Sequence, residues 1–198
     1  MSRPPKVRIR SRPASLDPWN VSALEFPAAE SVEERLWFLL HYAVLAPSTH
    51  NSQPWLFKIR DHRLELWADW GRSLPVVDPE GRELVMSCGA ALQHLRLALH
   101  YFGLAGEVEL YPDPLQPYLL ARIGLGSRVE TAAAEVLLFQ AIPRRRTNRH
   151  PYAPEPLPEE LLQALAEAAR REGAWLECVT DDPRREALGD LVASADRA

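Results

Sequence analysis

The sequence predicts an α+β protein built on an antiparallel or mixed sheet. Three observations carry this: apolar residues recur at helical spacing in several segments, short strand-like runs come in adjacent pairs, and no regular strand–helix–strand repeat is present.

The first twelve residues, MSRPPKVRIRSR, are basic and proline-rich, and they read as a loosely held surface arm within an N-terminal stretch of residues 1–30. Ser31 with Glu34 forms a capping box ahead of Leu36, Trp37, Leu39, Leu40, Ala43 and Val44, so a helix starts there and stops at Pro47. Trp55 to Ile59 and Arg63 to Asp69 are strand-like, and the short Arg60–Asp61–His62 link makes them an antiparallel hairpin. A polar, proline-bearing loop from Gly71 to Pro79 leads to a long helix over 82–102, which Gly103 ends. Its middle, MSCGAALQHLRLAL, is rich in small residues and suits burial against a sheet. Glu107 to Tyr111 and Tyr118 to Leu125 read as two further strands, and Glu130 to Ile142 as a helix. A helix follows from Leu157 to about Glu172, then a strand-like AWLECVT over 174–180, then a helix from Pro183 that is still amphipathic at Ala198.

The 198 residues suffice for one good-sized domain, and 46% apolar with 25% charged residues is ordinary for a soluble globular chain. A net charge of −4 argues against general attraction to nucleic acid or membrane. No apolar run approaches the roughly eighteen residues of a membrane span, and no signal-peptide core is present. Cys88 and Cys178 lack metal-ligand spacing and fit a reduced, cytoplasmic protein.

Two segments carry chemistry. The first is APSTHNSQPWLF, Ala46 to Phe57. Pro47 and Pro54 fix their own φ and push the preceding residues out of the α region, which makes a stiff loop. Ser48, Thr49, Asn51 and Gln53 then offer hydrogen bonds from a rigid frame, as reading a planar, polar-edged ligand requires. A proline-rich turn whose Ser and Asn cap their neighbours is the plainer reading. The second segment, PRRRTNRHPY, places four arginines (Arg144, Arg145, Arg146 and Arg149) beside Thr147 and Asn148. Planar guanidinium forks fit phosphate oxygens two at a time, so the set suits a phosphate monoester. It suits a solvated basic loop as well. Aromatic interleaving, the mark of a nucleic-acid patch, is missing.

Together these segments resemble the nitroreductase-like FMN proteins, and most closely their Acg-type subgroup. The loop matches that superfamily's Pro-Ser-Ser/Thr-x-Asn-x-Gln-Pro-Trp pattern, and RSLPVVDPEGRELVMSCGAAL and IPRRRTNRHPY resemble the subgroup's own signatures in the same order. The similarity runs from about Glu33 onward.

The resemblance implies a three-layer α/β/α fold with a mixed, mainly antiparallel sheet flanked by helices, and FMN as cofactor. In simple nitroreductases one subunit supplies an Arg-x-Ser-x-Lys/Arg phosphate motif and the other a Pro-Ser-Ser-x-Asn loop. Carried over, Arg145, Thr147 and Arg149 match the phosphate motif; Pro47, Ser48, Thr49, Asn51 and Gln53 match the loop. Because the phosphate motif here follows the loop, the resemblance implies two fused halves, 31–143 and an incomplete 144–198, with both walls of one FMN site in this chain. A chain ending within a helix reads as a fragment or natural short form, with a homodimer as one way to supply the missing half. Arg82 is the one candidate for a cation near the flavin's pyrimidine edge.

The implied activity passes electrons from NADH or NADPH through flavin to a nitroaromatic, quinone or similar small acceptor, with no obligatory acid–base residue and no metal. The subgroup also implies an alternative, in which FMN is held or sequestered without reductase activity. His50 touches the ligand or faces solvent; His41, His94 and His100 read as packed or surface histidines. Cys88 reads as helix packing and Trp55 as core filling. Asp78 and Arg82 either tie the loop before the long helix or approach the flavin.

Overall fold

The reciprocal cap that Ser-x-x-Glu predicts opens the first helix, α1 (Val32–Ala43): Ser31 Oγ accepts from the Glu34 N–H at 3.2 Å, and the Glu34 carboxylate accepts from the Ser31 N–H at 3.3 Å. Leu36, Leu39, Leu40 and Ala43 then fall on one buried stripe. These features come from a computed structural model that describes residues 17–195. The basic arm read from the first twelve residues lies outside that range. Residues 17–30 are folded onto the core, with Val21, Ala23 and Phe26 packed against it and Phe26 stacked on Phe102 at 4.0 Å.

The hairpin forms where its strand pattern and short link predict: β1 (Trp55–Arg60) pairs antiparallel with β2 (Arg63–Ala68). Asp61 and His62 turn the chain with φ of 49° and 59°, the double left-handed turn whose twist matches the flanking strands. Helix α2 (Arg82–Tyr101) follows, and Gly103 at φ 70° ends it. Strands β3 (Leu104–Leu110) and β4 (Leu119–Arg128) complete a sheet of order β1-β2-β4-β3 in which every described pair is antiparallel. The α+β expectation holds in its antiparallel form. Helix α3 (Ala133–Ala141) packs on α2.

The sheet has one dry face. Leu64, Leu66, Ala121 and Ile123 bury under Leu84, Cys88, Ala91, Leu95, Ala98 and Leu99 of α2. The other face is a polar ladder: Lys58 Nζ sits 3.8 Å over Trp67, whose indole donates to Glu65 at 3.0 Å, while Arg122 pairs with Glu65 and Glu109 at 3.7 and 3.6 Å. Such a division is usual for antiparallel sheets.

The chain divides into two compact units between Asn148 and Arg149. The second contains α4 (Glu159–Arg171) and α5 (Asp182–Ala195). The strand expected over 174–180 does not form. Its alternation of Trp175, Glu177 and Val179 with Leu176 and Cys178 meets the pattern rule, but no strand among the described residues pairs with it, and unpaired backbone groups gain nothing from extension. No helix among the described residues is long and apolar enough to cross a membrane.

Candidate functional site

The loop after α1 is more constrained than its prolines alone require. His50, Asn51 and Gln53 have φ of 50°, 56° and 50°, left-handed values that cost non-glycine residues of order 1 kcal/mol each, least for asparagine. Strain of that size persists only where surrounding bonds over-determine the conformation. Here they do. Ser48 Oγ accepts from the Gln53 N–H at 3.0 Å, and the Asn51 and Ser52 N–H groups donate to Ser48 and Thr49 carbonyls at 3.0 Å each. Gln53 Nε2 donates to Asn51 Oδ1 at 3.3 Å, and Arg72 reaches the Ser52 carbonyl at 3.2 Å. The Pro54 carbonyl accepts from the Asp69 N–H at 2.9 Å and from Cys88 Sγ at 3.2 Å.

One bond ties the loop to α2: Thr49 Oγ1 donates to Glu83 Oε2 at 2.6 Å. The start of α2 is itself fixed from the preceding loop. Gly81, at φ 70°, sits against the Trp70 ring, and buried Asp78 accepts from the Leu84 N–H at 2.9 Å. Asp78 therefore ties the loop to the start of the long helix, and Arg82 stands exposed at the helix start.

These elements line an open cleft of about 940 Å³. Pro47, Ser48 and Thr49 form one side. Val77 to Glu80 and the Arg82, Glu83, Met86, Ser87 and Ala90 face of α2 form the floor. Thr147 closes it from the second motif. Glu83, Met86, Ser87 and Ala90 are spaced i, i+3, i+4 and i+7, one stripe of a helix, and were not singled out from sequence. Their signal lay in the RELVMSCGAAL stretch, but small residues on a helix say "close packing" without saying against what.

The arginines, alike in sequence, separate in structure. Arg144 Nε donates to the Gln140 carbonyl at 3.1 Å and so serves the end of α3. Arg146 folds back onto the Pro143 and Arg145 carbonyls at 2.9 and 2.7 Å. Arg145 instead points toward the loop: Nη2 donates to the Leu45 carbonyl at 3.5 Å and Nη1 to Thr147 Oγ1 at 3.3 Å. Its Nε is buried without a hydrogen-bond partner among the described residues. Arg149 opens the second unit. Of the residues expected to form a site, Pro47, Ser48, Thr49 and Thr147 share the cleft, and Arg145 stands beside it through Thr147. The Asn51 and Gln53 side chains bond to each other away from its lining.

The histidines have ordinary partners. His94 Nδ1 lies 3.2 Å from the Tyr42 carbonyl, and burial holds its pKa below the usual value, aided by the Arg145 charge and opposed by the Tyr42 bond. His41 Nδ1 sits 2.9 Å from the Phe38 carbonyl, and His100 pairs with Glu135 at 2.7 Å. Cys88 is buried and its thiol is pushed up to about 12, mainly by desolvation and further by Asp69. Trp55 is core, 7% exposed.

No family model matches the chain. Over 163 residues, 82% of its length, it is 40% identical to a Mycobacterium tuberculosis protein named "Putative NAD(P)H nitroreductase Rv3131", covering 46% of that relative. Over 144 residues, 73% of its length, it is 35% identical to "Putative NAD(P)H nitroreductase acg" of the same organism, covering 44% of it. The chain is a nitroreductase-like protein of the Acg type. It spans less than half the length of these curated relatives. In this Acg-type chain, Pro47, Ser48 and Thr49 of the loop and Thr147 of the arginine motif line one cleft.

Proposed function

We propose that this chain carries an FMN site of a nitroreductase-family oxidoreductase, one that uses NADH or NADPH to reduce a small nitroaromatic or quinone-type acceptor. The observation that carries the reading is the convergence of two segments a hundred residues apart: Ser48 and Thr49 line the same cleft as Thr147, and Arg145 bonds to Leu45 at the base of the loop.

The donor set fits a phosphorylated flavin. The buried, unpartnered Nε of Arg145 is a donor that an anionic oxygen would satisfy, with the Thr147 hydroxyl beside it. Ser48 and Thr49 present hydroxyls on a preorganised frame, while Met86, Ala90 and Val77 offer apolar surface to a ring. When bound, FMN supplies hydride acceptance and electron release; the protein supplies binding and orientation. Glu83, held by Thr49, is fixed on the α2 side of the cleft. A duplicated architecture, with 144–198 belonging to a second half, accompanies this reading.

The test is reconstitution. Purified protein incubated with FMN and desalted is expected to stay yellow and release FMN on denaturation, and anaerobic NADH or NADPH should bleach it. A colourless protein after reconstitution defeats the flavin reading. Bound FMN that resists reduction identifies a flavin-holding protein without reductase activity.

A further inference from the structure

Arg146 lies between Arg145 and Thr147 yet faces elsewhere. Its guanidinium stacks over the Trp19 ring, 4.1 Å from the centroid, while Nη1 donates to the Pro143 and Arg145 carbonyls. A planar fork stacked on one face and bonded at its edge has little rotational freedom left, so it fixes the turn that delivers Arg145 and Thr147. Trp19 is itself fixed. Its N–H donates to Asp17 Oδ1 at 3.0 Å within the 3-10 turn Pro18–Asn20, and Asn20 Nδ2 donates to Asp17 Oδ2 at 2.8 Å. Downstream, Phe26 anchors the segment between Phe38 and Phe102. Trp19 remains 40% exposed, so filling the core does not explain its position.

We infer that Trp19 and Arg146 form a clasp by which the N-terminal segment sets the geometry of the arginine motif, both acting as positioning residues for the anion-binding end of the cleft. The clasp stands on contacts within the first unit. Its consequence for FMN rests on the function proposed above.

The test compares Trp19→Ala, Trp19→Phe and Arg146→Lys by hydrogen exchange over residues 143–148 and by FMN titration. Lysine keeps the charge but cannot hold two carbonyls while stacked, and phenylalanine keeps an aromatic face. Trp19→Ala and Arg146→Lys are expected to speed exchange and raise the FMN Kd, each roughly three- to tenfold, from the usual worth of a partly exposed cation–π contact. Trp19→Phe should restore most of both. Unchanged exchange in Trp19→Ala and Arg146→Lys overturns the clasp. Faster exchange with unchanged FMN affinity overturns its positioning role. If the parent protein binds no FMN, the proposed function fails, and the exchange comparison still decides the clasp. Should Trp19→Ala not fold, Arg146→Lys carries the same readouts.

Discussion

Arg145 donates a hydrogen bond to the carbonyl of Leu45, a hundred residues earlier and two before Pro47. The bond joins the end of α1 to the arginine motif, so the two walls of the cleft share one anchor. At 3.5 Å it is long, and the charged donor keeps it significant only because the site is partly buried.

Arg145→Ala should weaken FMN binding by about 1.5–3 kcal/mol, the usual worth of a charge-assisted bond, or roughly ten- to a hundredfold in Kd. Fluorescence titration measures it. Arg144→Ala, which removes only a bond to Gln140, should leave Kd within about twofold. Equal effects from the two variants would mean that the structure has not separated their roles.

Gly81 is poorly placed to carry a side chain. A Cβ there would lie 2.2 Å from the Trp70 ring at a φ of 70°. Gly81→Ala should cost at least about 2 kcal/mol, combining left-handed strain with overpacking, read as a lowered urea midpoint. Gly89, whose added Cβ meets nothing within 4 Å, is the control: Gly89→Ala in mid-helix should stabilise by about 0.5–1 kcal/mol.

The two thiols should differ sharply. Cys88 is buried, bonded to the Pro54 carbonyl, and titrates only near 12; Cys178 is exposed. Alkylation of native protein at neutral pH should label Cys178 alone, and Cys88 only after denaturant is added. Comparable labelling of both in the native state would contradict the burial of the loop against α2.

His94 makes stability pH-dependent. Its folded pKa is lowered by burial, so below the ordinary histidine range the unfolded chain binds a proton that the folded chain refuses. Stability is unaffected by this residue above that range and falls as pH drops through it. Thermal midpoints should therefore decline from about pH 7 to 5.5, and less steeply in His94→Gln. Parallel profiles for the two proteins would exclude His94 as the cause.

Local rules carried most of the secondary structure. The Ser31–Glu34 box, the Asp61–His62 turn and Gly103 each act within a few residues, so sequence suffices to read them. The failed strand over 174–180 marks the limit, because alternation describes a strand's faces and says nothing of whether a partner exists to bond its backbone.

The sequence by itself determined the α+β class, the stiffness of the 46–57 loop and the presence of an arginine cluster at 144–149. Only tertiary structure decided which arginine faces the loop, since Arg144, Arg145 and Arg146 are identical side chains whose aims depend on the turn after α3. It also decided that Glu83, Met86, Ser87 and Ala90 floor the cleft, and that Trp19 stacks on the motif from the far end of the chain. Those relations join residues separated by up to 127 positions, where no helix or strand period reaches, and contacts at that range exist only after the core has closed.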